Sequence, residues 1–162
     1  MKRIILHWTG GRYYPNIIDR QHYHFMIDGD GEVYTGKFTP EDNLNCYDGA
    51  YAKHTGGGNT GSIGIALCGM FDYRKPSVIG RYPLKQIQFE RAYKLCADLC
   101  KKYALTISPV TVMTHYEFGK NNPKTESAGK PDISYIPYEP NIAPDKVGDF
   151  IRSKVQWYFE RI

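Results

Sequence analysis

At 162 residues and 41% hydrophobic content the chain can bury one sizeable core, and no linker-like Pro/Gly/Ser stretch divides it into two domains. Its 21 Lys and Arg against 17 Asp and Glu give a formal charge of +4, which favours anionic partners but falls well short of the dense basic stripe of a nucleic-acid binder. No apolar run reaches membrane-spanning length, only Ile4, Ile5 and Leu6 separate the basic start from His7, and the 4 cysteines show no CxxC spacing. These features lead us to expect a monomer made in the cytoplasm without a signal peptide, with no membrane insertion, no nucleic-acid partner and no disulfide framework.

Taken in order, Arg3 to Leu6 is a buried-strand candidate that ends at His7-Trp8 and is broken at once by Thr9-Gly10-Gly11. Tyr13 to Gln21 suggests a short helical turn with Pro15 near its start. His22 to Ile27, Asp28-Gly-Asp-Gly31 and Glu32 to Thr35 spell strand, turn and strand. Alternation along the first of these strands puts Tyr23, Phe25 and Ile27 on one face and His22, His24 and Met26 on the other. The Asp28-x-Asp30-Gly31 fragment resembles part of a calcium loop, but without the downstream glutamate it reads as a plain turn.

Phe38 to Gly61 is rich in Asn, Asp, Gly, Tyr and Thr, a loop long enough to suggest binding. Ser62 to Leu67 follows as a strand with Ile63, Ile65 and Leu67 on one face. Gly64 and Ala66 leave the other face small, which suits either a pocket floor or a closely packed helix. Beyond the basic loop Met70 to Tyr82, the segment Pro83 to Tyr103 reads as a helix, with Phe89, Ala92, Tyr93, Cys96, Leu99, Cys100 and Tyr103 at the three-and-four spacing of one buried stripe. A strand over Thr111 to His115 then implies a parallel crossover onto the same sheet. A last helix spans roughly Asp145 to Glu160, with Val147, Phe150, Ile151, Val155 and Tyr158 inward. The expected fold class is α/β: a single domain over 1–162, built as a central mixed β-sheet flanked by helices.

Two places have the chemistry of a metal site. The strand ending at His115 is followed, a polar excursion later, by Lys130-Pro131-Asp132, and His7 closes the first strand. Imidazole and carboxylate are ordinary zinc ligands, a catalytic zinc takes three protein ligands and keeps one position open, and a lysine beside it can meet developing negative charge. His7, His115 and Asp132 are therefore the candidate ligands. Against this stands the ordinary reading: a lone histidine is usually structural, and Lys-Pro-Asp is a common turn composition.

His7, Tyr23-His24-Phe25, His54…Asn59-x-x-Ser62-Ile-Gly-Ile, His115 and Lys130-x-Asp132, in that order, give a pattern that resembles the zinc-dependent N-acetylmuramoyl-L-alanine amidases. This family includes phage amidase-type lysozymes and animal peptidoglycan recognition proteins. The resemblance runs from about His7 to Asp132. It implies Zn2+ on His7, His115 and Asp132, catalytic roles for Tyr23 and Lys130, and Trp8, His54 and Asn59 toward the substrate. Some relatives have a glutamate where this chain has Ala66, so the chain looks like the branch relying on tyrosine and lysine. Glu117 and Glu126 are alternative carboxylates should the third ligand lie elsewhere. The implied activity is hydrolysis, by a zinc-activated water, of the amide between N-acetylmuramic acid and L-alanine in peptidoglycan, as in a bacteriolytic phage endolysin acting on the cell wall. A non-catalytic peptidoglycan-binding module of the same fold and a zinc endopeptidase acting on the stem peptide are the alternatives.

Overall fold

A computed structural model describes all residues, 1–162. Five strands form one sheet in the order β3-β2-β4-β1-β5. They are β1 (Arg3–Trp8), β2 (Phe25–Ile27), β3 (Val33–Thr35), β4 (Ser62–Leu67) and β5 (Val112–Thr114). β2, β4, β1 and β5 run parallel, and β3 is antiparallel on the edge beside β2. The Ile-Ile-Leu run of β1 and the whole of β4 are buried, as expected of central parallel strands covered on both faces.

The two long helices cover one face. α2 (Gln86–Lys102) and α4 (Pro144–Phe159) pack on Ile4, Leu6, Ile63, Ile65, Leu67 and Val112 in a single core, burying Phe89, Ala92, Tyr93, Cys96, Leu99 and Cys100 from α2 and Val147, Ile151 and Val155 from α4. That is the expected stripe, except that Tyr103 is half-buried at the helix end. Gln88 ties α2 to the sheet, its amide donating to the carbonyls of Ile27 (3.1 Å) and Cys68 (2.9 Å) just where β2 and β4 finish. The connection β4–α2–β5 is the parallel crossover that the helix-then-strand order implied.

The opposite face carries Ile5, His7, Gly64, Ala66 and Met113, and is covered by the 36–61 loop and by α3 (His115–Asn121) instead of by long helices. The loop is pinned from within by fully buried Asn43. Its amide donates to the carbonyls of Ala52 and Asn59, and its oxygen accepts from the Ala52 N–H.

Two of the boundaries that shift bear on the histidines. The first hairpin strand begins at Phe25 and not at His22, because α1 (Ile17–His22), capped at Asn16 by a reciprocal pair with Asp19, takes in His22 and hands the chain on through an extended Tyr23. The strand expected to end on His115 ends one residue earlier, since Thr114 and Glu117 form a capping box that starts α3 at the histidine. The Asp28 turn is a plain one: its carboxylate accepts the amides of Asp30 and Glu32 and the Tyr34 hydroxyl, leaving no cation-binding loop.

Candidate metal centre

In an open parallel sheet ligands gather beyond the carboxyl ends of the strands, and the strongest cluster of polar side chains lies there. β1 and β5 are in register with Leu6 opposite Thr114, so the next residues along the chain, His7 within β1 and His115 at the start of α3, lie side by side. Their Nδ1 atoms are 3.1 Å apart. The Oδ2 atom of Asp132 is 3.4 Å from His7 Nδ1 and 3.3 Å from His115 Nδ1. With metal–ligand bonds of 2.0–2.1 Å, the edges of a zinc tetrahedron are about 3.3–3.4 Å, so these three atoms form a triangle of the size that one face of such a tetrahedron needs.

The donor chemistry agrees. His7 is fully buried, and desolvation pulls its imidazole down to about 4 in spite of the upward pull of Asp132, so it is neutral near pH 7. A buried carboxylate facing two imidazole nitrogens is a preformed place for a cation.

Asp132 is aimed by an unusual backbone. Pro131 to Ser134 form a turn closed by Ser134 N–H to Pro131 C=O (2.9 Å), and Ile133 occupies its third position at φ 60°, where glycine or asparagine is usual. The Ile133 side chain is buried in the main core, and the Asp132 carbonyl accepts from Tyr116 N–H (3.1 Å), so the turn is held at both ends.

A cleft of about 380 Å³ opens above these atoms, lined among others by Tyr23, Lys130, Lys53, Glu126 and His22. The Tyr23 ring lies 5.2 Å from that of His7, and burial first, then the charge of Asp132, pushes its phenol far up, so it keeps its proton. Lys130 lines the same cleft from the Ser127 to Asp132 segment.

The expected substrate-side residues are placed differently from one another. Trp8 borders the cleft but is mostly buried against Tyr73 (4.9 Å between ring centres). His54 lies behind His7, 6% exposed, with only an edge on the cleft. Asn59 does not line this cleft; its side-chain oxygen accepts Thr55 N–H (2.8 Å) and shapes the loop. Glu117 is taken by Arg152, which donates to both its oxygens at 3.0 Å, so it is a structural carboxylate at the start of α3. Glu126 borders the cleft beside Gly56. Thr55, Ser127 and Ile133 are parts of this centre that sequence reasoning missed. Thr55 and Ser127 sit in polar loops with many equivalents, and nothing local marks an isoleucine that must turn left-handed.

A family model described as N-acetylmuramoyl-L-alanine amidase matches residues 1–129, a span that contains His7 and His115 and stops just before Lys130 and Asp132. Peptidoglycan-recognition protein SD of Drosophila melanogaster is 29% identical over 134 residues, covering 67% of this chain and 66% of that protein, so the chain spans just under two thirds of that relative's length. Among solved structures, N-acetylmuramoyl-L-alanine amidase LysC from Clostridium intestinale URNW aligns with a TM-score of 0.57 at 19% identity, covering 96% of this chain and 85% of that one. The Staphylococcus aureus hydrolase AmiA, solved in complex with its ligand, aligns at 0.60 and 17% identity, covering 99% and 76%. At such identities these two speak to the shared fold.

Proposed function

The chain belongs to the N-acetylmuramoyl-L-alanine amidase family, and from that premise we propose that it is a single zinc amidase domain hydrolysing the bond between N-acetylmuramic acid and L-alanine of peptidoglycan. The observation that carries the reading is the triangle of His7 Nδ1, His115 Nδ1 and Asp132 Oδ2, with His115 and Asp132 lining a polar cleft and His7 buried against them. These three residues would hold Zn2+, which when bound supplies Lewis-acid polarisation of the scissile carbonyl and an activated water.

The remaining chemistry belongs to the chain's own side chains. As the carbonyl carbon turns tetrahedral, negative charge grows on its oxygen, and the Lys130 ammonium in the cleft is the cation available to meet it. Tyr23, kept protonated by burial, donates a hydrogen bond into the same space. Burial of His7, His115 and most of Asp132 excludes bulk water from one side of the reacting group. Lys53 and Lys130 favour an anionic stem peptide, in keeping with the net charge of +4.

Digestion of purified muropeptides with the zinc-loaded protein tests the proposal. It should release whole stem peptides with a free L-alanine amino terminus and leave the glycan strands intact. New amino termini within the stem peptide would replace the reading with an endopeptidase. Binding with no new ends would replace it with a recognition module, the role that the Drosophila relative's name describes.

A further inference from the structure

The outward nitrogens of the two candidate ligand histidines both lead into one short segment, 54–56. Behind His115, Nε2 lies 2.9 Å from Ser127 Oγ, and the Ser127 hydroxyl donates to the Gly56 carbonyl at 2.7 Å. A hydroxyl that gives its one proton away can only accept from His115, so His115 carries its proton on Nε2. Behind His7, Nε2 faces His54 Nδ1 (3.1 Å) and Thr55 Oγ1 (3.3 Å), and those two atoms are 2.7 Å from each other. His54 Nε2 lies 3.2 Å from the Ser62 carbonyl, which only accepts. Neutral His54 must therefore donate from Nε2 and present a lone pair on Nδ1. Thr55 donates to that lone pair, which leaves its own oxygen as the acceptor for a proton on His7 Nε2.

We infer that His54, Thr55 and Ser127 are positioning residues which fix the tautomers of both ligand histidines through two hydrogen-bond relays, one ending on the Ser62 carbonyl and the other on the Gly56 carbonyl. The consequence is at the inner edge. In the neutral form of each ring a proton on Nε2 leaves Nδ1 as the lone pair, so the two nitrogens that lie within 3.4 Å of each other and of the Asp132 carboxylate are the ones a metal would take. The neutral rings thus present Nδ1 to the centre with no change of tautomer needed when an ion binds. Two features show that the relay is built in. The His54 ring sits where a side chain on residue 64 would be, since a Cβ there would lie 2.5 Å from its Cγ. Asn59 clamps the Thr55 amide, which holds the 54–56 segment against both histidines. Outer hydrogen bonds of this kind orient a ligand ring and raise its affinity for metal.

This inference rests on the zinc reading of the site but not on the identity of the cleaved bond, and its test measures metal and protons without peptidoglycan. Long-range proton–nitrogen NMR spectra of the metal-free full chain should show His7, His54 and His115 as Nε2–H tautomers. Zinc affinity, measured by competition with a chromophoric chelator, should fall by about 10- to 100-fold in Thr55→Val and in Ser127→Ala and recover to within a few-fold in Thr55→Ser. Thermal melts of the metal-free variants separate this loss from a folding defect, and where Thr55→Val fails to fold, Ser127→Ala and the wild-type spectra decide. An Nδ1–H tautomer on His7 or His115, or unchanged zinc affinity in both folded variants, overturns the relay. If zinc binding and tautomers are as stated while muropeptides survive, the amidase reading fails and the relay stands.

Discussion

Ile133 holds a backbone conformation that isoleucine rarely adopts, and Asp132 points at the histidines because of it. A β-branched residue at φ 60° costs about 1–2 kcal/mol, and burying its side chain in the main core contributes about 1.5–3 kcal/mol, enough to hold the turn. Strain beside a candidate ligand that is offset by core burial is a common way of presetting a site. The side chains proposed as catalytic stand apart from this scaffold. Tyr23→Phe and Lys130→Met should leave zinc content unchanged and lower kcat by about 10²–10³ with little change in KM, the effect of losing one preorganised donor to the oxyanion, whereas Asp132→Ala should lose the metal. Steady-state kinetics on a soluble muropeptide, with zinc measured on each variant, gives the comparison. Near wild-type kcat in both Tyr23→Phe and Lys130→Met would remove these two residues from the mechanism.

Among the elements, β4 shows how the two faces of one strand are divided. Ile63, Ile65 and Leu67 enter the helix-covered core, while Gly64 and Ala66 face the centre. Ala66 pairs with His7 in the sheet, and the missing Cβ of Gly64 is filled by the His54 ring. The small face therefore makes room for the histidines and their loop, not for a helix. Gly64→Ala should push the ring out of its place, costing about 1–3 kcal/mol in overpacking and weakening zinc binding in the same variant. Thermal melts and zinc titrations of that variant check both effects, and a protein unchanged in both would mean that the ring has another resting place. α3 is set by comparable means: the Thr114–Glu117 capping box starts the helix at His115, and Arg152 of α4 grips Glu117, so a helix on the far face of the sheet helps hold a candidate ligand.

For the molecule as a whole, the sheet separates a scaffold side, α2 and α4, from a site side closed by loops, and the site side carries an unusual load of buried histidine. His24 is an example away from the candidate ligands. Burial pulls it down to about 4 despite its hydrogen bond to Asn43, so folded protein takes up this proton near pH 4 and unfolded protein near 6.5. The unfolded state thus binds more protons between these values, and stability falls as pH drops through that window. By pH 5 His24 alone should cost about 2 kcal/mol relative to pH 7.5. Urea unfolding of metal-free protein at the two pH values should show a fall, and His24→Gln should show less of one. Equal falls in the two proteins would mean that His24 does not contribute.

Local pattern was enough to determine the α/β class, the β4 boundaries and the buried stripe of α2, and to single out candidate metal ligands, because hydrophobic period and side-chain type are carried by neighbours in the chain. His7, His115 and Asp132 were legible for the same reason: two histidines closing apolar runs and an aspartate in a proline turn are local features. Their convergence within 3.4 Å was decided by the tertiary structure, through the parallel register of β1 and β5 and the left-handed turn at Ile133. The burial of His54 behind His7, the role of Thr55 and Ser127, and the use made of Gly64 were decided there too. Each depends on contacts between residues 8 to 108 positions apart, and a hydrogen bond across that separation leaves no periodic trace in the chain. The proton positions on the histidines belong to the same class, since a tautomer is set by whichever carbonyl or hydroxyl the fold brings to the far side of the ring.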